Sequence, residues 1–171
     1  MTKILIVEGV DLVGKSTAIE RISKTLKTGI TIKNNYKPKS QSNFEIYNQY
    51  LEIMTMTGHY RKLIILDRFY PSQLVYSYLR GFDELEQTPE IAQVIEKDLH
   101  FYKTKLLLLD TSEEELRKRY AVRGDEHVDI NQILVIRQRY LDFFDRCQLD
   151  KLKIDSMDPD FIQKVQRFAR W

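Results

Sequence analysis

Gly9-Val10-Asp11-Leu12-Val13-Gly14-Lys15-Ser16-Thr17 is the stretch that decides the fold of this 171-residue chain. Two glycines five positions apart lead straight into Lys-Ser-Thr, and the flanks suit that spacing. Before it, Ile4-Leu5-Ile6-Val7 is a short apolar run of the kind that forms a strand buried on both faces. After it, Ala18, Ile19, Ile22 and Leu26 recur at helical spacing, with Gly29 placed to cap the helix. Strand, loop and helix in this order form the context in which such a loop cradles phosphate. Glycine lets the backbone curl until successive N–H groups share one concavity, and the helix N-terminus adds partial positive charge. Amides from Gly9 and from Val13 through Gly14, Lys15, Ser16 and Thr17 would hold a polyphosphate. Lys15 would reach its outer phosphates, and the Ser16 hydroxyl would bind Mg²⁺. The plain alternative is a glycine turn before a helix with an exposed lysine; motif and flanks together argue against it.

The rest of the composition narrows the setting. One domain spanning 1–171 accounts for the length, and 43% apolar with 30% charged residues is a globular balance. A net charge of +2 gives no argument for nucleic acid or a membrane surface. Cys147 is the only cysteine, which excludes an internal disulfide and fits a reducing cytoplasm, with the thiol read as buried and inert. The first strand begins within three residues of Met1, leaving no room there for a signal peptide, and no apolar run approaches a membrane span. A cytosolic protein is expected.

Further runs repeat the pattern set by the loop. Ile30–Lys33, Leu63–Leu66, Leu106–Leu109 and Lys151–Ile154 read as strands. Helices are expected over 15–27, 44–56, 70–79, 89–101, from Thr111 or Ser112 through Tyr120, over 129–147 and over 159–168, with a break from Arg123 to Val128. In the second of these the apolar face is read as Phe44, Tyr47, Leu51 and Met54, and in the fourth as Ile91, Val94, Ile95 and Leu99. Strands alternating with helices predict an α/β fold of three layers: a five-stranded parallel sheet flanked by helices. Ligands then collect beyond the carboxyl ends of the strands.

Those strand ends carry the other candidate groups. Asp67 follows the third strand, where a carboxylate beside a phosphate loop can hold Mg²⁺ or one of its waters. Arg68 has the planar fork that suits a second substrate's phosphate, although neighbouring Asp and Arg at a strand end also form plain ion pairs. Asp11, inside the loop, would be repelled by polyphosphate unless it faced an acceptor or a metal; otherwise it is a turn residue. Arg117, Arg119 and Arg123 crowd one helix end. They form either a solvated face or a lid, about 119–129, that folds over a transferring phosphoryl group, with Arg119 and Arg123 the arginines of interest. His127 in that stretch is read as a surface residue. Phe44, Tyr47, Tyr50, Gln73 and Tyr76 lie on helices flanking the acceptor side, where aromatic faces stack on bases and an amide reads base edges, or else they are core.

Taken together, Glu8-Gly9-Val10-Asp11 running into Gly14-Lys15-Ser16-Thr17, then Asp67-Arg68-Phe69 with Ser72 and Tyr76, then Arg119 to Asp129, resemble the thymidylate kinases over most of the chain. The resemblance implies a P-loop kinase that moves the γ-phosphoryl of ATP, with Mg²⁺, to a deoxynucleoside monophosphate, normally dTMP. It implies acceptor contacts for Asp11 and Arg68, thymine stacking for Phe44, and a place for Lys39 where the family has an acceptor-touching arginine. Asn48 stands about where the family has an arginine contacting phosphate and base. It further implies lid arginines at Arg119 and Arg123, and a homodimer through a helix face. The departures are Leu12 where one branch has arginine, Asn48, the lysines around Pro38, and His127. They leave the phosphoryl-transfer set intact and resemble a phage-type deoxynucleotide kinase. The alternatives are a deoxynucleoside kinase that phosphorylates a 5′-hydroxyl, a kinase for a non-nucleotide small molecule, and a non-catalytic nucleotide-binding protein.

Overall fold

Five short strands lie side by side in the order β2-β3-β1-β4-β5, all parallel. They are β1 (Lys3–Glu8), β2 (Ile30–Lys33), β3 (Leu63–Asp67), β4 (Thr104–Asp110) and β5 (Asp150–Asp155). The computed structural model describes residues 2–27, 30–33, 43–57, 63–81, 89–124 and 128–170. The central strand is the one in front of the glycine loop: Ile4 pairs with Ile64 on one side and with Thr104 on the other. Ile4, Leu5, Ile6 and Val7 are wholly buried, as a strand covered on both faces requires.

Helices cover the sheet: α1 (Lys15–Leu26), α2 (Asn43–Thr57), α3 (Tyr70–Tyr76), α4 (Pro89–Leu99), α5 (Glu113–Arg123), α6 (Ile130–Arg146) and α7 (Phe161–Phe168). Crossovers from one parallel strand to the next place them on the two faces, and Ile22, Leu74, Ile95, Leu116, Ile136 and Phe161 bury the inner stripes. Among the described residues no helix is long and apolar enough to cross a membrane.

Several boundaries differ from the expected ones, each for a local reason. Lys27, at φ 49°, takes the left-handed cap of α1 that the sequence reading gave to Gly29, which lies outside the described residues. The helix expected over 70–79 tightens to a 3₁₀ turn at Ser77–Arg80, ended by Gly81 at φ 83°. The one expected over 89–101 likewise tightens at His100–Tyr102. α5 runs one turn past Tyr120 because the Gly124 amide still donates to the Tyr120 carbonyl at 2.7 Å. Arg123 therefore ends a helix instead of opening the break.

Two expected apolar faces hold except at one position each: Tyr47 and Met54 in α2 and Ile91, Ile95 and Leu99 in α4 face the core. Among the described side chains of α2 the buried apolar residues are Tyr50, Ile53 and Met54, while Leu51 is exposed. In α4 Val94 is exposed and Glu96 is buried. Glu96 turns inward because its carboxylate accepts from the Tyr70 hydroxyl (2.9 Å) and the Gln148 amide (2.8 Å). Cys147 lies beside that carboxylate, buried as expected, and burial followed by Glu96 pushes its thiol up to about 12.

Candidate functional site

The loop after β1 turns through three unusual backbone angles. Gly9 has φ 153°, Leu12 φ 67° and Gly14 φ 92°. At Gly9 the glycine is required by space: a Cβ there would stand 2.7 Å from the Leu109 carbonyl oxygen. Gly14 is the N-cap of α1 and no side chain caps that helix. The first amides of α1 have no partner inside the helix, so they face the cleft with the partial positive charge of the helix end.

Lys15 stands at the start of α1, with its ammonium 2.8 Å from Asp67 Oδ1. Both side chains are about nine-tenths buried, so this pair is held close to the loop and is poorly screened. One residue on, Arg68 adopts φ 67°, a strained angle for a side-chain-bearing residue, and its amide donates to the Val7 carbonyl at 3.1 Å. That turn throws the guanidinium back over the loop. Arg68 Nη2 donates to Asp11 Oδ1 at 2.5 Å, and Tyr76 donates to Asp11 Oδ2 at 2.6 Å. The guanidinium also lies over the Tyr76 ring, 5.0 Å from its centroid.

Beneath Arg68 is a group the sequence reading assigned no role: Glu8, 1% exposed at the end of β1. Its Oε1 accepts from the amides of Phe69 (2.7 Å) and Ser72 (3.3 Å), and Oε2 from the hydroxyls of Ser72 (2.7 Å) and Tyr140 (3.1 Å). Burial raises its pKa above the ordinary 4.5, against the opposing pull of Arg68, Ser72, the Phe69 amide and Lys15. Burial also works against the charge on Arg68, but Tyr140, Tyr76, Asp11 and Glu8 outweigh it and raise its pKa, so the guanidinium stays charged. A carboxyl group whose folded pKa lies above its unfolded one stabilises the fold fully below the unfolded value. That share is lost as pH rises through the folded value. The stability advantage of the wild type over a Glu8→Gln variant is therefore expected to be greatest in acid and to shrink upward from about pH 4.5. Urea titrations of both proteins across that range check it, and a constant difference would contradict it.

Asp11, Lys15, Ser16, Thr17, Arg68 and Arg123, with Gly14, line one cleft of about 620 Å³. A second cavity of about 490 Å³ is lined by Leu12, Gly14 and Thr17 from the loop end, Arg119 and Arg123 from α5, and Ser156 and Met157 after β5. Arg119 bridges the two regions: its Nη1 donates to the Leu12 carbonyl at 2.9 Å and its Nε to Glu115 at 2.7 Å. Ser156 Oγ is buried with no hydrogen-bond partner among the described residues.

The structure thus brings Asp11, Lys15, Ser16, Asp67, Arg68, Tyr76, Arg119 and Arg123 to one end of the sheet. Val13 is buried beneath the loop, so only its backbone is available to a ligand. Gln73 is buried in α3 and Asn48 is exposed on α2; neither lines the two cavities. Arg117 pairs with Glu113 on the exposed side of α5. Phe44 belongs to α2 by its backbone, but its side chain, like Lys39 and His127, lies outside the described residues.

Known proteins resemble this chain over most of its length. No family model matches it. The SPbeta prophage-derived uncharacterized protein YorR of Bacillus subtilis is 26% identical over 153 residues, covering 90% of this chain and 88% of YorR. The crystal structure of YorR in complex with phosphorylated GDP superposes with a TM-score of 0.74 at 27% identity, over 96% of this chain and 94% of that one. A deoxyadenosine kinase from M. mycoides with the products dCMP and dCDP gives a TM-score of 0.60 at 17% identity, over 96% and 97% of the two chains. The fold is that of the P-loop nucleotide kinases. A gluconokinase from Sinorhizobium meliloti shares it too, with a TM-score of 0.59 at 15% identity over 98% of this chain and 89% of that one. The P-loop kinase fold thus hosts acceptors as different as a nucleoside and a sugar acid, so the fold alone does not name an acceptor.

Proposed function

We propose that this chain is an ATP- and Mg²⁺-dependent nucleotide kinase that transfers the γ-phosphoryl group in line to the phosphate of a deoxynucleoside monophosphate, with dTMP the first acceptor to try. The observation that carries this is the position of Arg68. It lines one cleft with Lys15 and Arg123 although the three come from distant parts of the chain. Phosphoryl transfer asks little covalent work of a protein; positioning and neutralisation of spread negative charge supply the rate. The loop amides and Lys15 suit the donor's phosphates. Arg68 lines the same cleft, and its planar cation suits an acceptor phosphate.

Mg²⁺ takes hard oxygen donors, usually one or two from protein with water and substrate oxygens making up the rest. The Ser16 hydroxyl in the cleft and the Asp67 carboxylate beside Lys15 fit that demand. When bound, the ion would neutralise charge on the phosphates. The second cavity suits the donor base: Leu12, Val122 and Met157 offer apolar surface, and Arg119 a planar cation that stacks on rings. Val122 and Met157 are 85% and 66% exposed, apolar groups that a stacked base would cover.

The rival that phosphorylates a 5′-hydroxyl wants a general base near that hydroxyl. Among the described residues Asp11 is the carboxylate lining the cleft, and both its oxygens are already engaged by Arg68 and Tyr76. A coupled ADP- or GDP-release assay across the nucleoside monophosphates and nucleosides separates the readings. It is run with ATP and with GTP, because YorR holds a guanine nucleotide. Turnover with a deoxynucleoside monophosphate is expected. Turnover with thymidine or another nucleoside but with no monophosphate would replace this reading by the rival, and silence with every nucleotide acceptor would sink both.

A further inference from the structure

We propose that Tyr140, together with Ser72 and the buried Glu8, is a positioning set that aims Arg68, and that Tyr140 thereby tunes acceptor affinity without touching the acceptor. The inference rests on the reading of Arg68 given above. The geometry is a closed circuit. Arg68 Nη1 donates to Tyr140 Oη at 3.1 Å and to Ser72 Oγ at 3.3 Å. Those two hydroxyls lie 2.8 Å apart, and each donates its proton to Glu8 Oε2. The opposite charges of Glu8 and Arg68 are thus joined through two hydroxyls and not by a direct pair.

That indirect link has a chemical use. A carboxylate bound to both ends of the fork would occupy the donors a phosphate needs. Here Nη1 is spent on neutral hydroxyls that the carboxylate orients, and Nη2 meets Asp11, which lines the cleft. Tyr140 is 2% exposed and its ring meets the Tyr76 ring edge-on, with 6.1 Å between centroids, so its hydroxyl is delivered from a fixed aromatic frame. Tyr140 and Arg68 sit 72 positions apart in the chain, and the contact joins α6 to the end of β3. Hydrogen bonds to a charged group are worth more than neutral ones, and a side chain held by three partners loses little entropy when it meets a ligand.

The variant that tests this is Tyr140→Phe, which removes one oxygen and keeps the ring. The acceptor KM is expected to rise about 5–30-fold with the donor KM unchanged within a factor of two. In an Arg68→Ala background the same substitution should raise the acceptor KM no further, because the group it positions is gone. Effects that multiply across the double variant, or a donor KM that rises equally, would overturn the assignment. A second measurement needs no substrate: the Arg68 guanidinium ¹⁵N–H signals of the ligand-free protein should exchange with water at least tenfold faster in Tyr140→Phe than in the wild type. Unchanged exchange refutes the positioning role even if kinase activity is present. Faster exchange in a protein that phosphorylates nothing would uphold the cradle and discard only the proposed reaction.

Discussion

Lys15→Ala is expected to lower kcat by roughly 10²–10³-fold or more, the range seen when one preorganised charge-stabilising donor is removed from a reacting centre. The ammonium is about nine-tenths buried and close to Asp67, so its field acts in a region where water screens little. Alanine leaves the loop amides in place, and binding of the donor nucleotide should fall far less than turnover. The substitution also strips Asp67 of its partner, a loss of up to about 3–5 kcal/mol for a fully buried pair and less here. The thermal midpoint is measured alongside, therefore, and the rate is read well below it. Equal turnover in the folded variant would show that Lys15 has no part in the chemistry.

Arg68→Ala should act on the other half of the cleft. We expect the acceptor KM to rise by about 10²-fold, with donor affinity nearly unchanged, since a charge-assisted contact is lost from one substrate only. Stability falls as well, because Glu8 is then a buried carboxylate whose facing cation has been removed. An Arg68→Lys variant keeps the charge and loses the fork, and is expected to recover stability better than acceptor affinity. Steady-state kinetics with each substrate varied in turn decide the matter. Weakened donor binding alone would contradict the placement of Arg68.

The glycine loop was legible because its requirements are local: spacing, a preceding apolar strand and a following helix lie within twenty residues. Asp67-Arg68 was legible for the same reason, as polar residues at the end of an apolar run. Strand order was not, since nothing in Leu63–Leu66 or Leu106–Leu109 says that these two flank β1 while Ile30–Lys33 and Lys151–Ile154 take the edges. Glu8 went without a role because a carboxylate ending a strand looks like any polar boundary; its burial depends on amides and hydroxyls contributed from 69 to 140. Tyr140 had no signal at all, being one aromatic at helical spacing among many. The positions missed in α2 and α4 show the same limit. Glu96 turns inward because Tyr70 and Gln148 offer it donors, and neither lies near it in the chain.

The middle place of β1 bears on how the protein is made. Ile4 finds its neighbours at Ile64 and Thr104, sixty and one hundred positions further along. A wholly buried apolar run is therefore translated early and shielded late. Closing such long spans before any contact rewards them makes assembly slow, and a greasy stretch left waiting is an invitation to clump. Fragments that stop short of Thr104 should come out of cells as inclusion bodies, and the full chain should benefit from slower, cooler synthesis.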